Sequence, residues 1–144
     1  MKKIIFIVFL FPFFLSGQNI DSLKLALKNA KHDTLKLQIQ YELGNYIGIS
    51  RIGYWDTLEK NSKKLSYRII QAQALNYIGF IYQSKGNPTK GLKYAEQAYA
   101  ILESIGDNIG MVVSINNIGQ VYKERGDINK AINYFFKGLK ICED

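Results

Sequence analysis

Residues Leu75-Asn76-Tyr77-Ile78-Gly79-Phe80-Ile81-Tyr82 return as Ile115-Asn116-Asn117-Ile118-Gly119-Gln120-Val121-Tyr122, a shift of 40 residues. No other feature constrains the chain as much, because a unit that recurs at fixed spacing must pack against copies of itself to bury its apolar faces. The correspondence runs on: Lys85-Gly86-Asn87 meets Arg125-Gly126-Asp127, Lys90-Gly91 meets Lys130-Ala131, Tyr94-Ala95 meets Tyr134-Phe135, and Ala98 meets Gly138. A looser copy begins at Gln40-Tyr41-Glu42-Leu43-Gly44, its glycine 35 residues before Gly79.

Each copy reads as two helices. Leu75, Ile78, Gly79 and Tyr82 fall at the three- and four-residue steps that share one helical face. Gly86 with Asn87-Pro88 then stops the helix and turns the chain. The second helix carries Leu92, Ala95, Ala98, Tyr99 and Leu102 on one stripe and stops at Gly106-Asp107. In the third copy Ile115, Ile118, Gly119 and Tyr122 precede the turn at Gly126-Asp127, and Ile128, Ile132, Phe135, Leu139 and Cys142 follow as the next stripe. Cys142 is expected there as a buried small hydrophobe. No segment alternates as a strand does, so the predicted fold is all-α, built from antiparallel helix pairs. Close crossing needs a partner without bulk, which predicts Gly79 facing Gly91 and Gly119 facing Ala131, with Tyr82 and Tyr122 filling the wider space beside each crossing.

Ahead of the repeats, Met1-Lys2-Lys3 begins a positive start, and the twelve residues Ile4 to Leu15 are all apolar. Twelve helical residues reach roughly 18 Å, well short of the about 30 Å of a hydrocarbon core. The expectation is a secretory signal peptide, residues 1–17, cleaved between Gly17 and Gln18. It places the protein outside the cytoplasm, periplasmic or secreted, the alternative being a tether formed by the uncleaved segment. Removing Lys2 and Lys3 lowers the net charge from +7 to +5, scattered along the chain. No nucleic-acid partner is expected from so weak a balance. One cysteine excludes a disulfide within the chain and a cysteine-cluster metal site, and one histidine leaves the common zinc constellations without ligands. His32 reads as an exposed linker residue, with Asp33 or Thr34 suited to capping the next helix. No nucleophile stands beside a base, so neither an enzyme, a cofactor nor a metal site is expected.

An apolar residue, another three places on, then glycine, then tyrosine resembles the tetratricopeptide repeat pattern. Ile78-Gly79 with Tyr82, and Ile118-Gly119 with Tyr122, look like the Leu-Gly and Tyr of that family's first helix. Gly91 and Ala131 look like its small residue in the second helix, with Ala95, Phe135, Ala98 and Gly138 at the later small and aromatic places. The family's tryptophan is replaced by Leu75 and Ile115, its closing proline is missing, and the period is 40 where the family has 34. The chain thus resembles the longer variety found in kinesin light chains and bacterial signalling proteins. Gly44 marks a degenerate copy, with Ile47 where tyrosine belongs and a second helix expected over Tyr54 to Leu65. The expected organisation is a leader (1–17), an amphipathic helix and linker (18–34, the helix over Asp21 to Ala30), the degenerate repeat (35–71) and two further repeats (72–111 and 112–144).

The resemblance implies a curved array whose concave face is lined by first helices. Gln73, Asn76, Phe80 and Gln83 share one face by spacing, and Val113, Asn116, Gln120 and Lys123 repeat it 40 residues later. Asn117 beside Asn116 resembles the paired asparagines of kinesin-light-chain-like repeats. Asparagine both donates to and accepts from a peptide backbone. The family's clamp for a terminal carboxylate needs several basic groove residues, and Lys123 stands alone. The function implied is a non-catalytic, exported scaffold for a protein or peptide. The alternative is the sensory N-terminal region of a signalling protein such as a histidine kinase or a transcription regulator. Gly138, Leu139 and Cys142, with part of Phe135, are expected on an open apolar end through which the last helix self-associates.

Overall fold

The computed structural model describes residues 16–143, so nearly all of the expected leader lies outside the described residues. Those residues form seven α-helices and no strand: α1 (Ser16–Asn29), α2 (Asp33–Ile47), α3 (Ile52–Lys64), α4 (Arg68–Ser84), α5 (Pro88–Ile105), α6 (Asn108–Glu124) and α7 (Ile128–Glu143). The leading helix begins at Ser16, ahead of the expected Asp21, and the second helix of the degenerate repeat begins at Ile52. His32, not Asp33 or Thr34, occupies the N-cap of α2, and its side chain makes no capping bond.

The turns explain why the helices have nearly equal length. Ser66, Gly86, Gly106 and Gly126 all have left-handed backbone, with φ of 55°, 77°, 70° and 80°, at intervals of 20 residues. After each one the next N–H reaches back across the last helical turn: Tyr67 donates to the carbonyl of Ser62 at 2.8 Å, Asn87 to Tyr82 at 2.9 Å, Asp107 to Leu102 at 3.0 Å and Asp127 to Tyr122 at 2.9 Å. This is a Schellman closure, which satisfies carbonyls that a helix end leaves open. Asn87 Oδ1 then caps α5 by accepting from Lys90 N–H at 3.1 Å, and Asp107 Oδ1 caps α6 from Gly110 N–H at 3.0 Å. The α2–α3 junction is built differently. Gly48 there has φ of −101°, and its carbonyl accepts from Trp55 Nε1–H at 2.7 Å.

Short turns make α2/α3, α4/α5 and α6/α7 into hairpins. Each second helix also packs on the first helix of the next pair, and α4 touches both α2 and α6. Trp55 sits at the centre of the larger core cluster, fully buried among Leu37, Leu58, Ile70, Ala74, Ile78 and Ile81. A Cβ on Gly44 would stand 2.5 Å from the Trp55 ring, so the glycine of the degenerate repeat makes room for an indole on α3. The other cluster joins Ala72 and Leu75 of α4 to Ala98 and Leu102 of α5.

The middle pair crosses as the sequence predicts: a Cβ on Gly79 would lie 3.0 Å from the Gly91 carbonyl oxygen, and one on Gly91 3.0 Å from that of Gly79. In the terminal pair the expectation needs correcting. Although Ala131 is buried, a Cβ on Gly119 would meet the ring of Phe135 at 2.6 Å, so Phe135 fills the space left by the glycine. Tyr82 and Tyr122 are only half-buried. They stack on Tyr94 and Tyr134 at centroid distances of 5.5 and 5.4 Å, with the ammonium groups of Lys90 and Lys130 over their outer faces at 5.1 and 5.3 Å.

Two further corrections fall on α7. Gly138 does not lie on the open end, for its Cβ position faces Ile115, Asn116 and Val112 of α6 at 3.4 to 3.9 Å. The stripe Ile128, Ile132, Phe135, Leu139, Cys142 is exposed at all five positions, which puts Leu139, Cys142 and part of Phe135 on the open apolar face as expected and corrects the expected burial of Cys142, while Ala131 and Gly138 are buried. The thiol of Cys142 is therefore at the surface.

Candidate functional site

An open cleft of about 470 Å³ lies along the first helices. Tyr41 of α2 lines one end, Gln73, Asn76, Tyr77 and Phe80 of α4 form the floor and one wall, and Ile109, Gly110, Val113 and Asn117 of α6 form the other wall with Asp107. The 40-residue repeat produces this arrangement, because equivalent faces of successive first helices stand side by side.

Gln73, Asn76 and Phe80 are brought together as the spacing predicts, and Asn117 joins them. Asn116 does not. Its side chain turns toward α7, its Oδ1 3.8 Å from the Cβ position of Gly138, and it is exposed. Gln83 and Gln120 lie outside the cleft lining: Gln83 Nε2 donates to Glu124 Oε1 at 2.8 Å and Gln120 Nε2 to the same oxygen at 3.2 Å, tying α4 to α6. Lys123 is exposed and outside the lining as well, so no basic residue lines the cleft.

Asn76 is 5% exposed, and its Oδ1 has no hydrogen-bond donor. Gln73 Oε1 is equally without one. A buried amide oxygen left unpaired costs about 1–3 kcal/mol, and both of these belong to residues that line the cleft.

Tyr41, Tyr77, Asp107, Ile109 and Gly110 line the cleft without having been among the expected groove residues. A signal for Tyr77 was present, since it is the 40-residue equivalent of Asn117 and shares its face. Tyr77 lies parallel to Trp55 with 4.0 Å between ring centroids, and its hydroxyl donates to Asn45 Oδ1 at 2.5 Å. Tyr41 meets both rings edge-on. Burial, reinforced by Tyr77 and Glu42, pushes the Tyr41 hydroxyl up to about 12, and burial followed by Glu42 raises that of Tyr77. Both phenols stay protonated and neutral at physiological pH, so they act as hydrogen-bonding walls without charge. Among the described residues no group of three or more His, Cys, Asp or Glu side chains is placed to hold a metal ion, and no helix is long and apolar enough to cross a membrane.

A search of curated proteins found no match. Among solved structures, the crystal structure of MamA is similar at 17% identity and a TM-score of 0.43, covering 89% of this chain and 81% of that one. The tetratricopeptide repeat family profile matches residues 70–144, more than half of the chain and the same segment that carries both full helix-pair repeats. Joined to the paired helices, the Gly79–Gly91 crossing and the 40-residue period, that match establishes that the chain belongs to the tetratricopeptide repeat family, whose repeats serve generally in protein–protein interaction.

Proposed function

We propose that the chain binds an extended segment of a partner protein along the cleft between α4 and α6, without catalysis, and that it does so outside the cytoplasm once residues 1–17 are removed. The observation that carries this reading is Asn76, nearly fully buried on the cleft floor with an unpaired amide oxygen. Asparagine and glutamine amides pair with a peptide main chain and ask little of its side chains, while Phe80, Ile109 and Val113 supply exposed apolar area beside them. A terminal carboxylate finds no cation in the lining, which disfavours the carboxylate-clamp mode.

A photo-crosslinking residue at Val113 tests the site. It should capture a partner from the producing cell, and the same residue at Glu96, exposed on α5, should not. Equal capture at both positions moves binding off the cleft. For export, mass spectrometry of the expressed protein should find a mature N-terminus near Gln18. An intact Met1 form in the cytoplasm overturns that part.

A further inference from the structure

The cleft has a sign opposite to that of the chain. The whole sequence carries +7, yet no Lys, Arg or His lines the cleft, and its one charged lining residue is Asp107. Asp107 spends Oδ1 on capping α6 and makes no ion pair, leaving Oδ2 at the cleft rim. In the same cleft stand the rings of Tyr77 and Phe80 and the amides of Gln73 and Asn76, whose oxygens have no donor.

We propose that the cleft receives an arginine side chain of the partner segment. This rests on the reading of the cleft as a peptide site and adds its chemical preference. A guanidinium brings five N–H donors in a plane and no acceptor, which suits a site whose unsatisfied atoms are oxygens. Its planar face and alkyl stem pack on aromatic rings, where the cation is attracted by the ring quadrupole. An ammonium brings three donors at one point and reaches fewer of these acceptors at once. A carboxylate or phosphate brings no donor when ionised and would be repelled by Asp107.

The test uses the full chain and three end-blocked pentapeptides, acetyl-Gly-Leu-X-Leu-Gly-amide with X as Arg, Gln or Glu, titrated while the amide resonances of Gly110 and Asn117 are followed. The arginine peptide should saturate and move both resonances, bind about five-fold or more tightly than the glutamine peptide, and lose that advantage at high salt. The glutamate peptide should not saturate. Asp107→Asn keeps a capping oxygen, as Asn87 shows at the equivalent turn, so it should melt like the parent while binding the arginine peptide no better than the glutamine one. Equal affinity of the arginine and glutamine peptides overturns the charge preference while leaving the peptide site standing if both move Gly110 and Asn117. An arginine peptide that does not saturate, shifts confined to other residues, or an Asp107→Asn chain that keeps the preference also overturns it.

Discussion

The middle pair, α4 with α5, and the terminal pair, α6 with α7, repeat one pattern at a 40-residue interval and differ in what covers them. Asn76 is buried against α6, while its equivalent Asn116 is exposed. Leu102 is fully buried, within 2.5 Å of the Cβ position of Gly110 on α6, while its equivalent Cys142 has no described helix above it and is exposed. What stays buried in both pairs is the hairpin's own interior: Gly79, Gly91 and Ala98 in the middle pair, and Gly119, Ala131 and Gly138 in the terminal pair. In a helical array one layer of burial belongs to the hairpin and a second to its neighbour, and only the first can be read from a single repeat.

The sharpest way to break this comparison is to truncate the two equivalent positions. Leu102→Ala should cost about 3 kcal/mol, as expected for a fully buried leucine whose cavity cannot collapse. Cys142→Ala should stay within about 0.5 kcal/mol, the range of surface substitutions. Denaturant melts of both variants decide it, and similar losses would mean that α7 is covered on its outer face.

The second contrast lies inside the hairpins. On Gly79 a methyl group would meet the Gly91 carbonyl oxygen at 3.0 Å, and that neighbour is backbone fixed between two covered helices. On Gly119 it would meet the Phe135 ring at 2.6 Å, but that side chain is 38% exposed and free to swing outward. Alanine gains about 1 kcal/mol over glycine in a helix, against about 1–3 kcal/mol for overpacking. Gly79→Ala should therefore lose about 1–2 kcal/mol and Gly119→Ala come out near neutral by the same balance. The reverse order in thermal melts would show that Phe135 is held and the Gly79 crossing is not.

Hairpin interiors were legible because they rest on local spacing: Leu75, Ile78 and Gly79 fall on one face whatever surrounds them. The open apolar face at Phe135, Leu139 and Cys142 was legible too, but Gly138 was misplaced on it and Cys142 was also expected buried, because spacing alone does not say whether a partner helix lies over a stripe. Trp55 escaped notice because in the degenerate repeat the second helix brings a large residue, not a small one, to the glycine of the first. Its Gly44 faces an indole on α3, where Gly79 faces another glycine on α5. Within the cleft, Gln73, Asn76 and Phe80 were readable from periodicity, and Asn117 from the family resemblance. Asp107 was not, because it reads as the residue that stops and restarts a helix, and only the packing of α6 beside α4 turns that cap toward the cleft.

The open face of α7 gives the third contrast. Phe136 is 65% exposed and Leu139 is exposed beside it, whereas the equivalent positions on α5 hold Glu96 and Tyr99. Residues 18–144 should self-associate at micromolar concentration by light scattering. Changing Phe136 and Leu139 together to Lys should weaken association by about ten-fold or more, about 1.4 kcal/mol, with stability of the monomer altered by about 0.5 kcal/mol at most. A monodisperse parent would show that α7 is sealed by the chain itself.

The smallest effect concerns how each pair is entered. The terminal pair begins after Gly106 and the middle pair after Ser66, and the two have the same left-handed backbone and the same backward hydrogen bond, Asp107 to Leu102 and Tyr67 to Ser62. Serine has a Cβ that this conformation crowds against the following carbonyl, at about 1–2 kcal/mol for a residue other than glycine, part of which glycine gives back through its greater freedom when unfolded. Ser66→Gly should thus stabilise the chain by about 0.5–1 kcal/mol, and Gly106→Ser should destabilise it by a similar amount. Nothing but the turn changes at Gly106, where a Cβ would meet open space. Opposite and nearly equal shifts in the two melts would establish that the middle and terminal pairs share one entry geometry, and that their difference lies wholly in what packs against them. A loss at Ser66→Gly would place an interaction of the Ser66 side chain above the cost of its backbone.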